Sequence, residues 1–172
     1  MKKQSRIENL ISKFLQLHDR KIDLSLDRIN RLNKDLKINI DNLQAKTVTL
    51  SGTNGKWSTA ITMRSIFEAA GYKVDLFTSP HVQSYTERFI FESKEISEEN
   101  LFDLLSEVES KNDSKPITIF ELLTSAFYFY SASKSKSNVV IAENGLFQRY
   151  DSVSSIGHHL MNVTCPIGLD HL

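Results

Sequence analysis

The sequence predicts an α/β domain whose helices flank a P-loop-type parallel sheet, and three observations predict it. Short β-branched runs alternate with helical patterns along the chain. One such run, Thr47-Val-Thr-Leu50, passes directly into a glycine turn and then a helical pattern. A length of 172 residues suits a single domain with a real core and a short leader.

The elements follow in order. Ile7, Leu10, Ile11, Phe14 and Leu15 recur at helical spacing, so the chain should open with an amphipathic packing helix. A second helical pattern runs from Leu26 and fades toward Lys34, and the polar stretch Lys37 to Lys46 leads into the strand at Thr47. Residues 1–46 therefore read as an N-terminal helical segment, and 47–172 as the α/β domain. After the glycine turn, Ala60, Met63, Phe67 and Ala70 mark one helix face, and Gly71 stands where a C-cap glycine belongs. Lys73 to Phe77 reads as the next strand, making Thr47 to Phe77 a βαβ unit with a parallel pair. Ser97 can cap a helix carrying Leu101, Leu104, Leu105 and Val108, and Phe120, Leu123, Phe127 and Tyr130 mark another. Ser131 to Ser137 reads as a solvated connector, Asn138 to Ala142 as a strand, and Met161 to Cys165 as a weaker one.

Composition excludes several classes. The formal net charge is zero, with 24% charged residues, so a polyanion-binding role is not suggested and no nucleic-acid partner is expected. Cys165 is the only cysteine, which rules out an internal disulfide and fits a reducing compartment. No apolar run approaches the ~18–20 residues of a membrane span, so no membrane partner is expected and the cytoplasm is the expected location. His18, His158 and His159 read as surface or packing residues, and Cys165 as a buried small apolar one.

The chemistry concentrates in Gly52-Thr53-Asn54-Gly55-Lys56-Trp57-Ser58-Thr59. Glycines let backbone N–H groups turn inward, and the helix that follows presents free N–H donors with a partial positive charge. A lysine neutralises phosphate, and a hydroxyl can reach Mg²⁺. The plainer alternative is an ordinary strand-to-helix turn; the strand before and the helix after argue against it. The spacing Gly-x-x-Gly-Lys is shorter than the widespread phosphate-loop pattern.

That shorter loop, followed by Thr78-Ser-Pro-His81 and Glu87-Arg88, resembles the folylpolyglutamate synthase and dihydrofolate synthase family, relatives of the Mur ligases. Further strings match in order: Ile22-Asp-Leu-Ser-Leu-Asp-Arg28, Thr118-Ile-Phe-Glu121, Glu143-Asn-Gly-Leu146 with Arg149 and Asp151, and Gly168-Leu-Asp-His171. The resemblance implies that ATP phosphorylates a carboxylate on a pteroate or folate, and that the amine of L-glutamate attacks the acyl phosphate. Carried over, Lys56 and the loop amides of residues 52–59 would hold the triphosphate, with Lys56 and Glu143 the catalytic pair and Ser58 or Thr59 offering a hydroxyl near the metal. Ser79, Glu143 and His171 would bind Mg²⁺, and Asp23, Thr118, Phe120, Glu121, Tyr150, Asp151 and Ser152 would line the pterin side.

Three departures from the family pattern shape the expectation. Trp57 stands where the family has glycine, placing an indole at a helix N-terminus that must admit a triphosphate. Phe147 and Gln148 replace two glycines, and Asn144 replaces a valine. The chain ends at Leu172, whereas the family continues into the rest of the ATPase sheet and a C-terminal ligase domain. The expectation is an incomplete Mur-ligase-like ATPase domain with an exposed strand edge and little or no ligase activity alone, with or without a separate chain supplying the missing part. The alternative is a non-catalytic nucleotide-binding module.

Overall fold

In the computed structural model, described for residues 6–18, 25–146 and 148–168, six strands form one mixed sheet with helices on both faces. In chain order the elements are α1 (Arg6–Leu17), α2 (Asp27–Asp35), α3 (Ile40–Gln44), β1 (Thr47–Ser51), α4 (Lys56–Ala69) and β2 (Val74–Phe77). There follow β3 (Phe89–Phe91), β4 (Lys94–Glu95), α5 (Glu98–Asn112), α6 (Ile119–Ser133), β5 (Val139–Glu143) and β6 (Met161–Thr164). Short 3₁₀ turns occupy Tyr85–Arg88, Gln148–Tyr150 and Ser152–Ile156.

The strand order is β4-β3-β2-β5-β1-β6, with the four strands β2, β5, β1 and β6 parallel and the β3–β4 hairpin antiparallel at one edge. The expected βαβ unit is present, but its strands are not neighbours: β5 inserts between β1 and β2 and bonds to both. Every residue of β1, β2 and β5 is buried, which is why these strands read as β-branched runs without polar alternation.

The helices divide between the two faces. α4 covers one, closing Leu50, Ala60, Val74, Leu76, Ile141 and Cys165 into a compact cluster. On the other face α6 lies against the sheet, with Phe77 stacked on Phe127 at 5.2 Å between ring centres. There Ile7, Ile11, Phe14, Leu32 and Leu43 join Phe127, Val140 and Ala142 in one continuous core, so the first three helices share their packing with the sheet.

Helix ends follow local chemistry. Ser97 accepts the Asn100 N–H at 3.2 Å and opens α5. Thr118 and Glu121 form a capping box at the start of α6: Glu121 Oε2 accepts the Thr118 N–H at 2.7 Å, and Thr118 Oγ1 accepts the Glu121 N–H at 3.3 Å. The expected connector is shorter than its composition suggested. Ser131 to Ser133 complete α6, and Ser131 is buried over the same end of the sheet as Asp75. The polar stretch before β1 is not featureless either, because Asn39 caps the short α3.

Candidate functional site

The site lies at the C-terminal ends of the adjacent parallel strands β1 and β5, where α/β sheets collect ligands. The chain leaves β1 through Gly52 at φ +125° and enters α4 from Gly55 at φ +83°, both left-handed. A Cβ on Gly52 would lie 2.6 Å from the Cys165 carbonyl oxygen, so only glycine fits there. Lys56 curls back across the loop and donates from Nζ to the Gly52 carbonyl at 2.8 Å.

The segment after β6 lies along this loop. Pro166 O accepts the N–H groups of both Thr53 and Asn54, at 3.0 and 3.2 Å, and Thr53 Oγ1 pairs with the backbone of Gly168 at 3.1 Å. The loop amides are thus divided: those of residues 53 and 54 hold the neighbouring segment, and those of the first turn of α4 have no intrahelical acceptor. Ser58 is exposed, and Thr59 is half-buried beside the Cys165 thiol at 3.5 Å. The Trp57 indole is 58% exposed, so it stands away from the sheet while the loop keeps its two left-handed glycines.

Glu143 closes β5 and links the loop to a second feature. Its Oε2 accepts the Ser79 N–H at 3.1 Å, holding the two residues side by side. Burial raises the Glu143 carboxyl above its ordinary value, opposed by the Ser79 amide and the nearby charges of Lys56 and Arg88. A carboxylate and a serine hydroxyl are both oxygen donors of the kind a hard divalent cation takes. His171 and Asp23 lie outside the described residues, and among those described no cluster of three His, Cys, Asp or Glu could hold a metal alone.

Beside Ser79 opens a cavity of about 430 Å³. Six residues that the sequence assigned to the pterin side line it together: Thr118, Phe120, Glu121, Tyr150, Asp151 and Ser152. Their surroundings differ. Thr118 and Glu121 are committed to the helix cap, and Glu121 also pairs with Arg28 at 3.3 Å. Asp151 caps the following turn through Val153 N at 2.9 Å and accepts Leu146 N at 2.5 Å, and burial pushes its carboxyl up to about 6. Tyr150 is 47% exposed at the rim.

Three basic residues of the cavity wall, His18, Arg28 and Arg88, were not singled out as site residues from sequence. His18, read as surface or packing, is buried and holds Glu109 through Nε2 at 3.0 Å. Arg28 and Arg88 were visible only inside longer strings. Arg88 ends a turn locked by its own capping box, in which Glu87 accepts the N–H groups of Val82, Gln83 and Ser84, each at 2.8 Å.

A glycine loop between a buried parallel strand and a helix, beside a neighbouring strand that ends in a carboxylate, defines an α/β domain with a mostly parallel sheet flanked by helices. Comparison with known proteins then gives the family. No family model matches the chain. It is 34% identical over 168 residues to the dihydrofolate synthase/folylpolyglutamate synthase of Escherichia coli K12, covering 97% of this chain and 39% of that protein. It is also 34% identical over 129 residues to the Bacillus subtilis protein of the same name, covering 72% of this chain and 30% of that one. Among solved structures, E. coli FolC in complex with DHPP and ADP superposes with a TM-score of 0.86 at 33% identity, over 97% of this chain and 39% of that one. A bifunctional folylpolyglutamate synthase/dihydrofolate synthase with Mn, AMPPNP and L-glutamate bound gives a TM-score of 0.86 at 28% identity, over 98% of this chain and 40% of that one. Over its length, the chain belongs to the folylpolyglutamate synthase/dihydrofolate synthase family. It spans about two fifths of the length of the curated relatives it matches.

Proposed function

We propose that this chain forms the nucleotide- and pteroate-binding part of an ATP-dependent ligase that adds L-glutamate to dihydropteroate or a folate through an acyl phosphate. The observation that carries the reading is the Ser79–Glu143 contact, which stands between the glycine loop and the cavity. It would bring the γ-phosphate and a substrate carboxylate to one place, and phosphoryl transfer depends largely on such positioning. The relatives' names, and their complexes with ADP, AMPPNP, Mn, DHPP and L-glutamate, support the same substrates.

Each residue then has a task. Lys56 would leave the Gly52 carbonyl and neutralise the triphosphate, and the first-turn amides from Gly55 to Ser58 would receive its oxygens. Gly52, Thr53 and Asn54 would fix the loop's shape through the contacts with Cys165, Pro166 and Gly168, and Ser58 or Thr59 would face the metal. Ser79 and Glu143, with His171, would hold Mg²⁺, which when bound supplies charge neutralisation for the phosphoryl group. Phe120 and Tyr150 would offer ring faces to the heterocycle and Asp151 and Ser152 polar edges, while Asp23, outside the described residues, would keep the substrate-binding role the family resemblance gives it. Thr118 and Glu121 would act by holding the N-terminus of α6 in place.

Among the described residues no helix is long and apolar enough to cross a membrane, and an ATP-consuming reaction suits the cytoplasm. Among the described residues β6 pairs with β1 alone, and Leu160, Met161 and Ile167 are exposed on or next to it. The remainder of the relatives' fold, in the same chain or a separate one, would pack there. Calorimetry with Mg-ATP and then pteroate tests the function: both should bind, and Lys56→Met should weaken the nucleotide at least tenfold while leaving pteroate unaffected. Binding of neither ligand would refute the proposal.

A further inference from the structure

The cavity holds two arginines in opposite electrostatic states. Arg28 is neutralised by Glu121, its guanidinium 3.3 Å from a carboxylate oxygen. Arg88 has no such partner: among the described residues no carboxylate lies within ion-pair distance of it. Its Nε donates to His81 Nδ1 at 2.8 Å, and its guanidinium lies 5.3 Å from the Tyr85 ring centre.

A half-buried cation that lines a cavity with no carboxylate in direct contact is costly unless a ligand supplies one. The direct contacts it does make fix its direction. His81 accepts the Nε hydrogen, so Nδ1 carries no proton in this contact and the imidazole acts as a neutral bracket. The Arg88 carbonyl accepts the Thr78 N–H at 3.2 Å, tying the residue to the end of β2, one residue before Ser79. With Nε committed, the two terminal NH₂ groups remain as a fork, the geometry that grips a carboxylate through two parallel hydrogen bonds. Arg88 and Ser79 line the same cavity, and Arg88 is close enough to Glu143 for their charges to interact.

We propose that Arg88, aimed by His81, receives the reacting carboxylate of the ligand in this cavity and makes the site selective for a free acid over a neutral derivative. The inference rests on the ligase reading above, adding to it the group that orients the acid. Arg88 is a binding residue and His81 a positioning residue.

The test compares two probes on the intact 172-residue chain: pteroate and pteroate carboxamide, which differ only at the acid. Wild type should bind pteroate about tenfold or more tightly than the amide. In Arg88→Met that ratio should collapse to about one, with amide affinity and circular dichroism unchanged. Arg88→Lys should keep part of the preference, having the charge without the fork. His81→Leu should lower the ratio while leaving amide affinity unchanged, which a merely structural role would not do. An Arg88→Met protein that still prefers the acid overturns the proposal, and an unchanged ratio in His81→Leu removes the bracket from it. Wild type that binds both probes equally refutes selectivity alone, whereas wild type that binds neither refutes the ligase reading and the proposal together.

Discussion

Gly52→Ala is the substitution whose cost follows most directly from the geometry. The new methyl would lie 2.6 Å from the Cys165 carbonyl oxygen and 2.9 Å from both its carbonyl carbon and its Cβ. Two of these three atoms are backbone, and the Cys165 N–H is itself bonded to Ser51 O at 2.7 Å, so relief requires the end of β6 to part from β1. Overpacking of this kind costs about 1–3 kcal/mol. Holding a non-glycine residue at φ +125° costs about 1–3 kcal/mol more. The combined loss, about 2–6 kcal/mol, is a large part of the ~5–15 kcal/mol that holds a domain together. Gly55→Ala is the control, because its φ of +83° is also left-handed but nothing lies within 4 Å of the added carbon. It should cost about 1–2 kcal/mol. Urea unfolding followed by circular dichroism measures both. A Gly52→Ala midpoint equal to that of Gly55→Ala would refute the claim that the loop is pressed against the Cys165 backbone.

Other outcomes follow from single contacts. Tyr128 is fully buried and donates to Val153 O at 2.7 Å, so Tyr128→Phe should lose about 1–3 kcal/mol in the same unfolding assay by orphaning that carbonyl. Asn144 is buried with neither amide atom bonded, so restoring the family's valine with Asn144→Val should raise stability by about 1–3 kcal/mol, read as a higher urea midpoint. Burial lifts the folded Asp151 carboxyl to about 6, so its contribution is fully present below about 4 and is lost as pH rises through about 6, roughly 3 kcal/mol in all. Asp75 and Glu143, also raised by burial, add slope of the same sign, so the difference between wild type and Asp151→Asn across that window isolates Asp151. Trp57→Gly should change Mg-ATP affinity less than about threefold by calorimetry, because the indole is largely exposed; a tenfold gain would show that it obstructs the loop.

The parts of the fold that sequence revealed are those whose burial is locally periodic. α4 and α5 announce themselves by apolar spacing, and β1 and β5 by unbroken burial. Strand order was hidden because β5, far downstream of β2, inserts beside β1 through long-range pairing that no local pattern encodes. The β3–β4 hairpin was missed for a different reason: Glu92 and Ser93 make its turn at positive φ, without the glycine that usually marks one. In the site, the glycine loop is contiguous and therefore legible. The cavity is not, since its wall joins α1, the turn before β3, the start of α6 and the segment after β5. Thr118 and Glu121 show how a short string can carry two meanings, because Thr-x-x-Glu before an apolar run is also a capping box. The role of Arg88 was overlooked because its distinction, a guanidinium with no carboxylate in direct contact, exists only once its neighbours are in place.

The most direct test of the central claim is a crystal structure of the chain with Mg²⁺ and a non-hydrolysable ATP analogue. The β- and γ-phosphates should lie over the first turn of α4, with Lys56 Nζ moved from the Gly52 carbonyl onto a phosphate oxygen and Glu143 facing the metal. A nucleotide bound elsewhere, or a Lys56 still bonded to Gly52 with the phosphates in place, would contradict it.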